Sequence, residues 1–176
     1  MNIKLNNMVK ASLFVALGLI LPYIFHLTGM AGTIFLPMHI PVLLCGFILG
    51  SRYGLIIGTL IPFLNSIITG NPPIYPIGIS MIFELATYGF VAGFLYKKRC
   101  INIFISLIVS MILGRVVSGI ANYILLLASN GRSFVLEVFL VAAIVKPIVG
   151  VVIQLIFIPI LVKALERDEE MKTLNG

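Results

Sequence analysis

Long apolar runs, separated by short polar or proline-rich breaks, set the pattern of the chain. Met1–Lys10 is a polar leader with Lys4 and Lys10, and an apolar helix follows through Phe25, interrupted only by Pro22. His26–Pro37 carries two glycines and a closing proline. It is too short and mixed to span a bilayer, so it is expected to be a loop with room to fold back over the helices. Met38–Gly50 is a short second span, Ser51–Tyr53 a tight turn, and Gly54–Gly70 a third span containing Pro62 and Asn65. Asn71–Pro76 holds three prolines, which fix φ and remove backbone donors, so a non-helical, ordered loop is expected there. A fourth span runs to Tyr96 and ends at Lys97-Lys98-Arg99. A fifth follows to Ala128, and after a turn at Ser129–Ser133 a sixth reaches Leu165. The polar tail Glu166–Gly176 is expected to fray. The pattern therefore predicts an all-α membrane protein with six transmembrane helices in one domain, residues 1–176. The spans fall at about 8–25, 38–50, 54–70, 77–96, 101–128 and 134–165.

Composition agrees. The chain is 60% hydrophobic and 10% charged, with a mean hydropathy of +1.17, whereas a soluble domain carries about a quarter charged residues. The net charge of +6 would suit nucleic acid if it were clustered on one face, but the bases sit at the ends of apolar runs, so no nucleic-acid partner is expected. Lys4, Lys10, Arg52, Lys97, Lys98, Arg99, Lys163, Arg167 and Lys172 fall on one side of the predicted membrane, and Arg132 alone on the other. The positive-inside rule then places both termini in the cytoplasm and both glycine- and proline-rich loops outside. The charged start resembles a signal peptide. The apolar run is long, however, and no small-residue cleavage site precedes a soluble domain, so it is read as a retained span. Cys45 and Cys100 lie far apart and suggest neither a disulfide nor a metal site.

The candidate chemistry lies in three charges within the spans. Glu84 sits in the fourth, Arg115 in the fifth and Lys146 in the sixth. A charge near mid-bilayer costs roughly 2.5–3.5 kcal/mol on insertion scales, so such residues face the bundle interior and mark functional sites. At about 1.5 Å rise per residue, Glu84 lies about two turns below the outer surface, and Arg115 about four turns up from the cytoplasmic end. Asn122, seven residues after Arg115, shares its helix face. Glu84, Arg115, Asn122 and Lys146 are thus predicted to surround a pocket in the outer half, with the two outer loops above it as lids. One acid cannot neutralise two bases, and the remaining positive charge would attract an anion, most simply a ligand carboxylate. The same residues would also serve as a structural ion-pair network fixing helix register. Lys146 would alternatively snorkel into a wet vestibule, or Glu137 would neutralise one of the bases. Pro147 beside Lys146 would open the helix and free a carbonyl near residue 143. Tyr88 and His39 are further pocket candidates. His26 reads as a loop or interface residue, and Tyr75 and Tyr123 as interfacial or stacking residues.

Small residues recur at four-residue spacing: Gly46 and Gly50, Gly54 and Gly58, Gly89 and Gly93, Gly114 and Ser118. These are read as sites of close helix approach inside the bundle, and Ser12 and Ala16 in the first span are reserved for an outside partner. The chain has no phosphate-cradling glycine loop with Lys and Ser/Thr, no His-Glu-x-x-His and no credible nucleophile triad, so neither an ATPase of its own, a cofactor nor an enzymatic role is expected.

Two segments carry a resemblance: Phe35–Gly50 (FLPMHIPVLLCGFILG) and Phe83–Gly93 (FELATYGFVAG). Together with six spans in a chain of this length, the protein resembles the substrate-binding S components of energy-coupling factor (ECF) vitamin transporters. The resemblance covers essentially the whole chain. It implies a bacterial cytoplasmic-membrane protein that works with a transmembrane T component and two ATPase subunits. It also implies a ligand pocket in the outer half, lined by spans four to six and the first outer loop. The family commonly docks to the T component through Ala-x-x-x-Ala in span one, and Ser12-x-x-x-Ala16 is the matching pair here. The resulting expectation is capture of a small vitamin or precursor, carboxylate-bearing and pantothenate- or nicotinate-like, for ATP-driven uptake. Pyridoxine-like and thiamine-precursor ligands stay open beside these. The alternatives are a stand-alone proton-coupled secondary transporter using Glu84, and a non-transporting membrane scaffold.

Overall fold

The structure, a computed structural model, describes residues 3–27, 32–128 and 147–174. Arg132, Glu137, Lys146, the turn at 129–133 and the outer part of the sixth predicted span lie outside the described residues. What is described is all-helical: α1 (Ile3–Leu27), α2 (Gly32–Phe35), α3 (His39–Leu49), α4 (Ser51–Thr69), α5 (Ile79–Gly93), α6 (Ile103–Ala128) and α7 (Ile148–Leu174). One π-helical turn, Ile74–Gly78, leads into α5 and another, Phe94–Lys98, continues it. Five of the helical segments are long and apolar enough to cross a membrane, and α3 is a shorter apolar helix. Six helices thus match the predicted number of spans.

Each break has a local cause. Leu36 adopts φ 52° just before Pro37, and the His39 amide donates to the Leu36 carbonyl at 3.1 Å to start α3. Gly50, at φ 91°, lets α3 end and α4 begin without an intervening loop, a conformation that a side chain would strain. In the proline-rich segment Pro73 (φ −54°, ψ 132°) and Tyr75 (φ −114°, ψ 133°) are extended, and the chain closes a π turn with the Gly78 amide on the Pro73 carbonyl at 2.8 Å. The expected loop is therefore shorter than Asn71–Pro76, and its far end is already wound into the helical segment. The Tyr75 hydroxyl donates to the Leu125 carbonyl, tying this turn to the end of α6. The side chain of Asn102 accepts from the Phe104 amide at 2.9 Å and caps the start of α6.

The tail differs from expectation. Instead of fraying from Glu166, α7 runs on to Leu174. Leu, Glu, Arg, Met and Lys dominate this stretch and all favour helix, so the helix passes out of the apolar region without a stop signal. Glu166 is also held. Tyr96 donates to its Oε2 at 2.7 Å, and Lys97 Nζ lies 3.1 Å from Oε1. The basic end of α5 is thereby tied to α7.

α5 is the central helix, packed on α3, α4 and α6. Glycines set its distances to α3 and α4. A Cβ on Gly54 would lie 2.9 Å from the Gly89 Cα, and one on Gly58 would lie 2.6 Å from the Leu85 carbonyl carbon. Gly46 meets the Gly89 backbone in the same way, and Gly93 meets the chain at Gly50–Ser51. Backbones this close gain dispersion contacts that lipid cannot replace. The small-residue reading therefore holds for Gly46, Gly54, Gly58, Gly89, Gly93 and Gly114. Gly50 departs from it: a Cβ there would meet nothing within 4 Å, and the residue serves its turn. α1 joins the bundle through Asn65, whose buried amide donates to the carbonyls of Gly18 and Ile61, each at 3.0 Å. Leu5, Val9, Leu13, Ile20 and Ile24 on α1 are exposed. Ser12 is also exposed, its hydroxyl returned to the Met8 carbonyl at 3.0 Å, and Ala16 is half-buried.

Candidate functional site

The site is built where α3, α5 and α6 meet. Glu84 is buried on the second turn of α5 and receives two side chains from neighbouring helices. Arg115 Nη1 on α6 lies 2.7 Å from Glu84 Oε1, and His39 Nε2 at the start of α3 lies 3.4 Å from the same oxygen. His39 is 1% exposed, while the Arg115 side chain is 22% exposed. The Leu36–Pro37 turn places His39 at the first position of α3, so its ring enters the bundle from the end of a helix rather than from its flank. Tyr88, one turn along α5 from Glu84, stacks its ring against His39 at 5.3 Å between centroids, tilted by 60°. On α6, Gly114 makes room for that ring: a Cβ there would overlap it. The residue before Arg115 thus lets α6 approach closely enough for the ion pair to form.

Three of the predicted site residues, Glu84, Arg115 and His39, are brought into contact, and Tyr88 packs beside them. Asn122 is not brought to the carboxylate: its amide donates to the Ser118 carbonyl one turn back on α6, at 3.0 Å. Among the described residues Glu84 faces one cationic side chain, Arg115, and Lys146 lies outside them. With Glu84 engaged, Arg115 is a half-spent donor rather than a free cation. Its Nη2 is buried and has no hydrogen-bond partner among the described residues, and the same holds for His39 Nδ1.

One polar residue escaped the sequence reading. Gln154 on α7 is fully buried, and neither atom of its amide has a partner among the described residues. Its signal in the sequence is a single uncharged polar side chain in the apolar run Ile148–Leu161, which a charge would have made conspicuous and a neutral amide does not. Among the described residues no group of three His, Cys, Asp or Glu could hold a metal ion.

These features define a multi-pass helical membrane protein with a buried polar cluster inside the bundle. The sequence model of the ECF transporter, substrate-specific component family matches residues 6–165, nearly the whole chain. The protein belongs to that family, whose members are components of transporters. No curated protein and no solved structure matches it.

Proposed function

We propose that this chain is the substrate-binding subunit of an ECF-type ABC importer, sited in the bacterial cytoplasmic membrane with both termini in the cytoplasm. It captures a small vitamin or precursor from outside. A transmembrane T component, docked through Ser12 and Ala16 on α1, and two ATPase subunits then drive its delivery. The ligand bears a carboxylate and is pantothenate- or nicotinate-like. The observation that carries the carboxylate is Arg115: Nη1 is committed to Glu84, while the buried Nη2 has no partner among the described residues. A guanidinium held on one side by an acid still presents an oriented, charged donor on the other, and carboxylates suit that geometry.

Binding of pantothenate and nicotinate to purified protein tests this directly. Arg115→Ala should cost roughly 2–5 kcal/mol of affinity for the probe that binds, as for truncating one partner of a buried charge pair. Arg115→Lys should recover part of it, since lysine lacks the planar fork. The 2.7 Å contact also favours a second reading, in which the pair only fixes the register of α5 against α6. On that reading Arg115→Ala lowers thermal stability while the folded fraction keeps its affinity. Unchanged affinity in well-folded Arg115→Ala protein would end the carboxylate reading.

A further inference from the structure

About three helical turns along α5 from Glu84, the other end of the bundle holds a cavity that the Glu84 cluster does not touch. It measures about 480 Å³ and opens between the π turn that continues α5, the connection to α6 and the distal part of α7. Tyr96, Lys97, Asn102, Phe104, Lys163 and Glu166 supply its chemistry. The charges in its wall do not balance. The Glu166 carboxylate is already shared by the Tyr96 hydroxyl at 2.7 Å and Lys97 Nζ at 3.1 Å. Lys163 is exposed and has no acidic partner among the described residues. The next acids on α7, from Asp168 onward, begin more than about one helical turn beyond Lys163, further from the apolar span. α6 starts in the same wall. Asn102 spends its side-chain oxygen on the Phe104 amide, which leaves its Nδ2 as a donor, and the start of a helix carries a positive partial charge.

The cavity also lies at the edge of the membrane-spanning part of the chain. The span that contains α5 ends at Lys98, the α6 span begins at Ile103 and the α7 span ends at Arg167. Toward the middle of those spans, Phe104, Ile105 and Ile108 on α6 and Ile160 and Leu161 on α7 are exposed. Ammonium groups therefore stand where headgroups lie, beside apolar faces suited to acyl chains.

We propose that this cavity binds the headgroup of an anionic phospholipid from the leaflet at that end of the bundle. The phosphate is held by Lys97 and Lys163 with Asn102 as a neutral donor, and the acyl chains lie along the exposed faces of α6 and α7. Basic pockets between spanning helices hold anionic headgroups in this way. A zwitterionic lipid carries the same phosphate together with a cation that the two lysines repel, so net charge sets the preference. Neither the transported ligand nor the side of the membrane that this end faces enters the binding.

The test uses full-length protein in dodecyl maltoside, stripped of native lipid and titrated with dioleoyl-phosphatidylglycerol or dioleoyl-phosphatidylcholine. Bound lipid is counted by native mass spectrometry. Wild type should prefer phosphatidylglycerol by about fivefold or more, and Lys163→Gln should remove most of that preference, since one basic side chain at a membrane surface is worth about fivefold. Lys163→Arg should keep it. Arg52→Gln should also keep it, because Arg52 lies beside the Gly93 contact at the same end of the bundle but outside the cavity. Lys163 is exposed, so lipid-free thermal stability should match wild type in all three variants. No preference in wild type, or a preference that survives Lys163→Gln, overturns the proposal. An equal loss in Arg52→Gln also overturns it, by showing a diffuse basic belt instead of a cavity. Inorganic phosphate, offered without lipid, should not raise thermal stability. If it does so in wild type but not in Lys163→Gln, and phosphatidylglycerol is not preferred, the cavity takes free phosphate and the lipid proposal fails.

Discussion

Gly58→Ala offers a direct test of how helix packing sets the site. The added methyl carbon would lie 2.6 Å from the Leu85 carbonyl carbon and 2.7 Å from the Ala86 nitrogen. Both are backbone atoms of α5, so no side chain can rotate out of the way. Restoring ordinary carbon contacts of about 3.5–4.0 Å means moving α4 and α5 apart by roughly 1 Å. Leu85 is the residue after Glu84, and α5 is held on its other faces by α3 and α6. A shift of about 1 Å is enough to take a 2.7 Å charge-assisted contact out of hydrogen-bond range, so Glu84 cannot keep both Arg115 and His39 in place. Overpacking costs about 1–3 kcal/mol, and the better helix propensity of alanine returns up to about 1 kcal/mol. A net loss of about 1–2 kcal/mol in stability is expected, with a roughly tenfold weaker affinity, equivalent to ~1.4 kcal/mol. The chain has no tryptophan, so unfolding is best followed by a thiol-reactive dye on the buried Cys45, with the exposed Cys100 replaced by serine. Leu60→Ala, on the exposed face of α4, is the control and should change little. If Gly58→Ala protein keeps wild-type stability and affinity, the α4–α5 crossing has slack and does not set the position of Glu84.

Three further outcomes are expected. Tyr96→Phe removes the hydrogen bond to Glu166 and should lower thermal stability by about 1 kcal/mol or less, since this half-exposed end is partly solvated. Substrate affinity should not change, and a change would mean that the cytoplasmic end of α5 couples to the site. Ser12→Leu and Ala16→Leu should spare ligand binding but reduce co-purification with the T component, because a bulky side chain holds helices apart. Full co-purification of both variants would move docking away from this face. Reporters placed after Gly176 and within Asn71–Pro76 should lie on opposite sides of the membrane, with the tail inside. The same side for both would refute the proposed topology.

The run of apolar residues between polar breaks determined the helices, because in a bilayer every backbone donor and acceptor must be satisfied within its own segment. That is a local requirement, legible without knowing what packs on what. The same logic singled out Glu84 and Arg115, since a charge in an apolar run is conspicuous by itself. Which charges pair was not legible. Arg115 meets Glu84 rather than remaining free because Gly114 admits the Tyr88 ring and lets α6 close on α5, and His39 joins them because the turn at Leu36 and Pro37 sets the start of α3. Asn122 shares the helix face of Arg115 in the sequence, yet its amide is spent on its own helix. Glu166 looks like part of a fraying tail in the sequence because its partner Tyr96 is 70 residues away. Gln154 is not conspicuous in the sequence, because a neutral amide becomes informative only when its burial is known. Helix rotation and relative depth decide all of these. Both are fixed by contacts such as Gly54 on Gly89 and Gly150 beside Phe35, between segments distant in the chain, and so only the tertiary structure could decide them.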